Sequence, residues 1–256
     1  MSNDFHVFTT MLVKNGKVKW LDEHLIRLRE HAAHFGIAWP GDEFLRAHVL
    51  DRVTAGTYLL RPSLRHFNPC CHSVLDTESR AQPRNLTNTS SVMTKSDDGK
   101  TTLEITTRPI NLPATSTQTR IIISDITVDK HFAHFKTSKA TPYLRARDFA
   151  TTHSAFESLV LDNDGYVVDG SRSSPLLFRD GVLISLEGGL RGITREKVLE
   201  AARERGIPTA RARLRPHELV GDLLVAGSGV GLVSNSTPQE ARLQKLVDIF
   251  KIVPNS

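Results

Sequence analysis

Short β-branched apolar runs, several of them closed by a glycine turn signal, are what most constrain this chain. Residues 7–13, VFTTMLV, read as a strand. Asn15-Gly16 is a hairpin-turn signal, and residues 17–21 return as a second strand. Residues 58–67, 103–110 and 119–127 are further strand-like runs. Residues 158–161 and 166–168 flank an Asp-Asn-Asp-Gly turn, and 176–178 and 182–185 flank Arg179-Asp180-Gly181, so each pair predicts a hairpin. Residues 223–226 form a last strand running into Gly227-Ser228-Gly229. Helical signals lie between these runs. One helix spans 23–35, capped by Asp22 and stopped by Gly36, with Leu25, Ile26, Leu28, Ala32 and Phe35 as its apolar stripe. Others span 42–53, 141–152 and 194–205, the last closed by Gly206. Interleaved strands and helices predict an α/β (α+β) chain, and no internal repeat is present.

The 256 residues suffice for two ordinary domains. The simplest division is a small N-terminal domain over 1–113, a connection near 112–118, and a larger C-terminal domain over 119–256. Residues 68–101 are polar and rich in Ser, Thr, Asn and Pro, which predicts a long, poorly ordered loop. The sequons at Asn85 and Asn88 fall within it and carry little meaning without a secretory signal. No apolar run approaches the roughly 20 residues that cross a bilayer. The first ten residues lack a charged segment followed by an apolar one, so a cytoplasmic protein with no membrane partner is expected. Cys70 and Cys71 are adjacent, which argues against a disulfide framework. His66, Cys70, Cys71 and His72 crowd together in HFNPCCH, but no second ligand pair at zinc spacing accompanies them, and no metal is expected. The net charge of +5 favours anionic ligands. The basic residues are spread along the chain without a nucleic-acid module, so no nucleic-acid partner is expected.

Four places can carry chemistry. Gly192-Ile193-Thr194-Arg195 opens a helix, whose first N–H groups lack internal partners and suit an anion such as phosphate. Gly227-Ser228-Gly229-Val230-Gly231 follows a strand with small residues that permit close backbone approach, and Ser228 adds a hydroxyl. Lys136 lies past a strand and before a helix, where a partly buried lysine can lose its proton and act as a nucleophile. On chemistry alone Lys130 and Lys139 are equal candidates. Asp169 is a carboxylate at the end of a hairpin, beside Gly170.

Together these segments resemble the class IV (fold-type IV) pyridoxal 5'-phosphate (PLP) family: branched-chain and D-amino-acid aminotransferases and aminodeoxychorismate lyases. The matching pieces are FTTMLVKNGKVKWLDEHLIRL, HFKTSK, AFESLVLDNDGYVVDGSRSS, GGLRGITRE and DLLVAGSGVGL, in the family's order and at about its spacing. The resemblance implies a small N-terminal α/β domain, a larger C-terminal pseudo-barrel domain, PLP at their junction, and a homodimer. It implies that Lys136 forms the Schiff base and is then the general base and acid, its distance to Phe156-Glu157 fitting better than that of Lys139. It further implies that Arg27, Ile193, Thr194, Ser228 and Gly229 hold the cofactor's phosphate. Asp169 falls where the family usually has glutamate against the pyridine nitrogen, keeping the ring protonated as an electron sink. That Asp, Ser174 where Asn is common, and the lack of the strand and Asp-Arg-Gly turn that usually precede the FTT-like strand are departures; the last predicts an abbreviated N-terminal sheet.

The reaction expected first is that of an aminodeoxychorismate lyase, since Phe8-Thr9-Thr10 followed by Asn-Gly-Lys-Val resembles those enzymes most. It would eliminate pyruvate and leave 4-aminobenzoate, a folate precursor. Arg61, Arg65 and Arg108 lie on strands that could meet the carboxylates of such a small-molecule amine substrate. The alternatives are an amino-acid transaminase, acting on a D- or branched-chain amino acid with 2-oxoglutarate, and a non-catalytic binding protein on the same scaffold.

Overall fold

The computed structural model describes residues 5–66, 90–96, 99–110 and 119–252. The chain divides into two compact units, Met1–Ile110 and Asn111–Ser256. Cys70, Cys71, His72, Asn85, Asn88, most of the expected loop and the expected connection near 112–118 lie outside the described residues.

In the first unit, β1 (Val7–Phe8), β2 (Met11–Lys14), β3 (Lys17–Val18), α1 (Leu21–His34), α2 (Asp42–Asp51), β4 (Thr57–His66), β5 (Ser90–Lys95) and β6 (Thr101–Pro109) follow in order. The strands make one six-stranded sheet, ordered β3-β2-β4-β6-β5, with β1 also paired to β4. Asn15 and Gly16 both adopt positive φ, as the expected tight hairpin requires. Several expectations change here. The run 7–13 is two short strands, β1 and β2, and residues 17–21 give only the two-residue β3, since Leu21 already opens α1. Residues 90–95 are not loop: Ser-Ser-Val-Met-Thr-Lys is the antiparallel partner of β6. Its β-branched residues supply a strand signal that the polar composition of the wider segment obscured. Asp22 does not cap α1. Trp20, at φ 55, is the residue before the helix, and Asp22 sits in its first turn and pairs with Arg46. The buried stripe is accordingly His24, Leu25, Leu28, His31 and Ala32, while Ile26 is 48% exposed. At 100° per residue, position 26 falls off the face that 25, 28 and 32 share.

The second unit contains β7 (Ile121–Thr127), α3 (Lys130–Ala133), α4 (Thr141–Thr152), β8 (Glu157–Leu161), β9 (Val167–Gly170), β10 (Ser174–Arg179), β11 (Val182–Leu186), α5 (Ile193–Glu204), β12 (Thr209–Ala212), β13 (Asp222–Gly227), β14 (Gly231–Ser234) and α6 (Ala241–Phe250). β7-β8-β9 form a three-stranded sheet, and β12-β11-β10-β13-β14 a five-stranded one. Both expected hairpins form, β8–β9 and β10–β11. Leu159, Val167, Leu177, Ile184, Leu186, Leu223 and Val225 fill the core between the two sheets. α5 and α6 cover the other face of the larger sheet, packing Leu199 and Leu246 against Leu176, Leu183 and Leu224. α4 packs on the smaller sheet, with Tyr143 and Phe149 against Val128, Val160 and Val168. The two sheets with their covering helices, following the α/β first unit, give the α/β (α+β) architecture expected from the sequence. Among the described residues no helix is long and apolar enough to cross a membrane.

Candidate active site

Asp169 is the centre of the polar cluster in the second unit. It lies in β9, which pairs with β8 through Val160↔Asp169, and only 6% of it is exposed. Burial pushes its carboxyl up to about 7. The positive charges of Arg195 and Lys136, the Gly170 N–H and the Ser174 hydroxyl all act the other way, favouring the carboxylate. The Gly170 N–H donates to Asp169 Oδ1 at 3.1 Å. The Tyr143 phenol, on α4, is pushed up by burial and then by the negative charge of Asp169, so it stays neutral and able to donate.

Lys136 is half-buried in the short segment between α3 and α4, within the field of Asp169. α3 is started by Asp129, whose Oδ1 accepts from the His131 N–H at 2.8 Å. The structure separates the three lysines that chemistry alone left equal. Lys130 pairs with Asp164 at the surface, Lys139 is exposed, and Lys136 is the one whose charge reaches the buried carboxylate. His134 Nδ1 lies 3.2 Å from the Gly189 carbonyl, tying this segment to the turn before α5. Gly189 must be glycine: a Cβ there would stand 2.2 Å from the Val168 carbonyl oxygen and 3.0 Å from Asp169 Cβ.

α5 begins after Gly192, and no side chain caps it, so its first N–H donors are available to an anion. Thr194, in the first turn, is 3% exposed, and its Oγ1 is buried with no hydrogen-bond partner. A hydroxyl in that condition is costly unless a ligand completes it. A Cβ on Gly192 would lie 2.6 Å from Ser174 Oγ, so the helix start presses on the same serine that donates to Asp169. Ser174 in turn pairs across the sheet with Ala226 of β13. Ser228 and Gly229 follow in the half-buried turn to β14, closed by the Val230 N–H on the Gly227 carbonyl at 3.1 Å. A Cβ on Gly227 would come within 3.2 Å of the Arg172 carbonyl. Lys136, Asp169, Ile193, Thr194, Ser228 and Gly229 therefore sit on elements linked directly or through Ser174.

Arg27 belongs to the first unit. It is half-buried on α1, and its Nη2 donates to Thr9 Oγ1 at 2.7 Å; that hydroxyl also lies 2.7 Å from the Nδ1 of the buried His24. Arg61 and Arg65 share one face of β4. The Arg61 guanidinium stacks 3.5 Å over the Phe8 ring, and Arg65 pairs with Glu104 at 3.9 Å. Arg61 is held below its usual range by burial and then by the charge of Arg108 on β6. Sequence reasoning missed Tyr143, Arg195, Ser174 as a donor, and Glu157. Arg195 stood inside Gly-Ile-Thr-Arg, and Glu157 and Ser174 inside AFESLVLDNDGYVVDGSRSS, each without these roles, while Tyr143 stood in no quoted motif. Nothing in the neighbours of Arg195 signalled that it is 3% exposed with Nη1 on the Leu186 carbonyl at 3.0 Å.

A half-buried lysine facing a buried carboxylate, beside an uncapped helix start with an orphaned hydroxyl, suits a phosphorylated carbonyl cofactor. The donors fit one end of it and the lysine and carboxylate the other. Residues 6–235 match the amino-transferase class IV family model. A crystal structure provisionally assigned as a 4-amino-4-deoxychorismate lyase is 36% identical, with 99% of this chain and 92% of that chain covered and a TM-score of 0.78. A T.th. branched-chain amino acid aminotransferase complexed with N-(5'-phosphopyridoxyl)-L-glutamate is 19% identical, with coverage of 96% and 83% and a TM-score of 0.73. A protein of Methanocaldococcus jannaschii, provisionally assigned as a branched-chain-amino-acid aminotransferase, is 32% identical over 82 residues. That match spans 30% of this chain and 28% of that relative. The protein thus belongs to the aminotransferase class IV family and is a PLP-dependent enzyme.

Proposed function

We propose that the protein is an amino-acid transaminase, moving an amino group between a D- or branched-chain amino acid and 2-oxoglutarate. The observation that carries class IV chemistry is the placement of Lys136, Asp169 and the start of α5 around Ser174. Transamination is supported by the branched-chain aminotransferases that recur among the structural neighbours and by the Methanocaldococcus relative. The sequence alone favours the lyase, and this company reverses the order. The lyase remains the second reading because of the 36% identical structure.

In this reading Lys136 would hold PLP covalently through Nζ, and its free amine would take and return the proton at the substrate Cα. Bound PLP supplies an electron sink for the charge left on that carbon. Asp169 would accept from the ring N–H, and the charges of Arg195 and Lys136 favour its carboxylate form against the burial that pushes it up. Tyr143 is a neutral donor at the same site. Arg27, the backbone N–H groups of Ile193 and Thr194, the Thr194 hydroxyl, Ser228 and Gly229 are the proposed phosphate ligands. Arg61 and Arg108, whose like charges already oppose one another, are the proposed readers of a substrate carboxylate. A small-molecule amine substrate, a cytoplasmic location and a homodimer belong to the same proposal.

The test is to give the purified holoenzyme an amino donor with no 2-oxo acid. A transaminase converts the lysine-bound absorbance to that of the amine form of the cofactor, and equimolar 2-oxo acid is released. A lyase holds the original absorbance and releases pyruvate from 4-amino-4-deoxychorismate. Pyruvate release with no conversion by any amino acid would sink the transaminase reading.

A further inference from the structure

We propose that Glu157 is a positioning residue for this reaction: its buried carboxylate closes the 170–173 turn and so holds Asp169 and Ser174 against one another. Glu157 opens β8 and has no exposed surface. Its Oε1 accepts from the Ser158 N–H at 3.0 Å, the Ser171 N–H at 2.9 Å and the Ser171 hydroxyl at 2.5 Å. Its Oε2 accepts from the Ser173 hydroxyl. The turn folds tightly around this carboxylate. The Gly170 N–H donates to the Ser173 carbonyl at 2.7 Å, and a Cβ on Gly170 would stand 2.7 Å from that oxygen and 3.1 Å from Glu157 Cδ.

The remaining member of the turn faces the other way. Arg172 lies over the Phe156 ring at 4.5 Å and donates to the Phe156 carbonyl at 2.9 Å. Its charge interacts with that of Glu157, which offsets part of the cost of a buried anion. Both ends of the turn are functional. Asp169 precedes it, Ser174 follows it, and the Ser174 hydroxyl donates to Asp169 while crowding Gly192 at the start of α5. A shift of the turn therefore moves the carboxylate, its donor and the helix start together. Glu157 itself is used up by the turn, so it acts through Asp169.

The proposal rests on Asp169 being the carboxylate that faces the cofactor ring, and the variants separate the two claims. Glu157→Gln keeps the size but replaces one acceptor oxygen by an NH2 group; Ser173→Ala removes one donor and keeps the charge. Holoenzyme carrying Glu157→Gln, at saturating PLP, is expected to lose kcat by about 100-fold, the scale of a misplacement of about 1 Å, with KM for the amino donor little changed. Loosening Asp169 lowers the affinity of the ring nitrogen for its proton, so the pH profile of kcat and of the cofactor absorbance moves to lower pH. Ser173→Ala gives the same shift, smaller. A folded Glu157→Gln enzyme with the wild-type kcat and pH profile overturns the proposal. So does a loss that added PLP fully restores. If Glu157→Gln does not fold, an unshifted profile in Ser173→Ala overturns it. Wild-type kcat in Asp169→Asn defeats the reading of Asp169; loss in Asp169→Asn with none in the other two defeats Glu157 alone.

Discussion

The two units hold their charged groups in contrasting ways. In Asn111–Ser256, Glu157, Asp169 and Arg195 are all buried, and each is fixed by several hydrogen bonds or opposing charges. In Met1–Ile110, Arg61 and Arg65 lie half-buried on a strand face and Arg108 is exposed. Arg61 stacks on the Phe8 ring and lies 3.5 Å from His6 Nε2, Arg65 pairs with Glu104 at 3.9 Å, and the charges of Arg61 and Arg108 oppose one another. Buried, multiply bonded groups cannot adjust, which suits chemistry that every substrate shares. Half-exposed cations on long side chains can adjust, which suits recognition of one substrate among several. The comparison predicts that substitutions at the buried groups of the second unit change kcat or cofactor binding, whereas those of Arg61, Arg65 and Arg108 in the first change KM.

The largest effect is expected at the cluster's base. Lys136→Ala removes both the covalent attachment and the proton carrier, so steady-state kcat falls by at least about 100- to 10,000-fold. Lys139→Ala, three residues further on, leaves it within a few-fold. Next is Asp169→Asn, which keeps the shape and removes the charge. Its kcat falls by a comparable factor, about 100-fold or more. The pH dependence of stability gives a second readout. The folded value of Asp169 is about 7, raised above the usual carboxylate range by burial. The folded apoprotein therefore binds this proton more tightly than the unfolded chain. Its contribution is most favourable at acid pH and falls as pH rises from about 4 to 7. Thermal melts of the apoprotein across that window should lose this slope in Asp169→Asn.

Smaller effects distinguish packing from binding. Gly189→Ala drives a Cβ against the Val168 carbonyl, so a destabilisation of about 1–3 kcal/mol is expected in urea melts. Thr194→Val deletes a hydroxyl that has no partner without ligand. Apoprotein stability should hold or rise, while PLP affinity by absorbance titration falls about tenfold, the loss of one charge-assisted hydrogen bond. In the first unit, Arg61→Ala should raise KM for a dicarboxylate substrate about tenfold and leave kcat within about twofold. A kcat effect there as large as that of Asp169→Asn would break the contrast between the units.

The parts of this molecule legible in the sequence are those governed by local rules. Asn15-Gly16 and the 162–165 turn need positive φ at or near glycine, and both hairpins are where those residues place them. Gly192 and Gly206 bracket α5 to within a residue of the expected bounds. What was hidden depends on distant partners. β5 exists because β6 pairs with it, not because its own six residues stand out from their polar surroundings. Trp20 at the start of α1 displaced a better capping residue two positions later. β12 and β14 are four residues each and are stabilised by the larger sheet, whereas α6 carries Leu243, Leu246, Val247 and Phe250 at helical spacing, a signal that went unread. At the site, Lys136 came from order and spacing of motifs, while Tyr143 and Glu157 are visible only once α4 and the 170–173 turn are packed against β9 and β8.

The central claim is that Lys136 carries the cofactor beside Asp169. Its most direct test is the absorbance spectrum of the purified protein with PLP, before and after borohydride reduction, followed by mass spectrometry of the labelled peptide. The account predicts a long-wavelength band in the wild type that reduction traps on Lys136, is absent in Lys136→Ala and persists in Lys139→Ala. Trapping on Lys130 or Lys139, or a wild-type protein with no such band at saturating PLP, would contradict it.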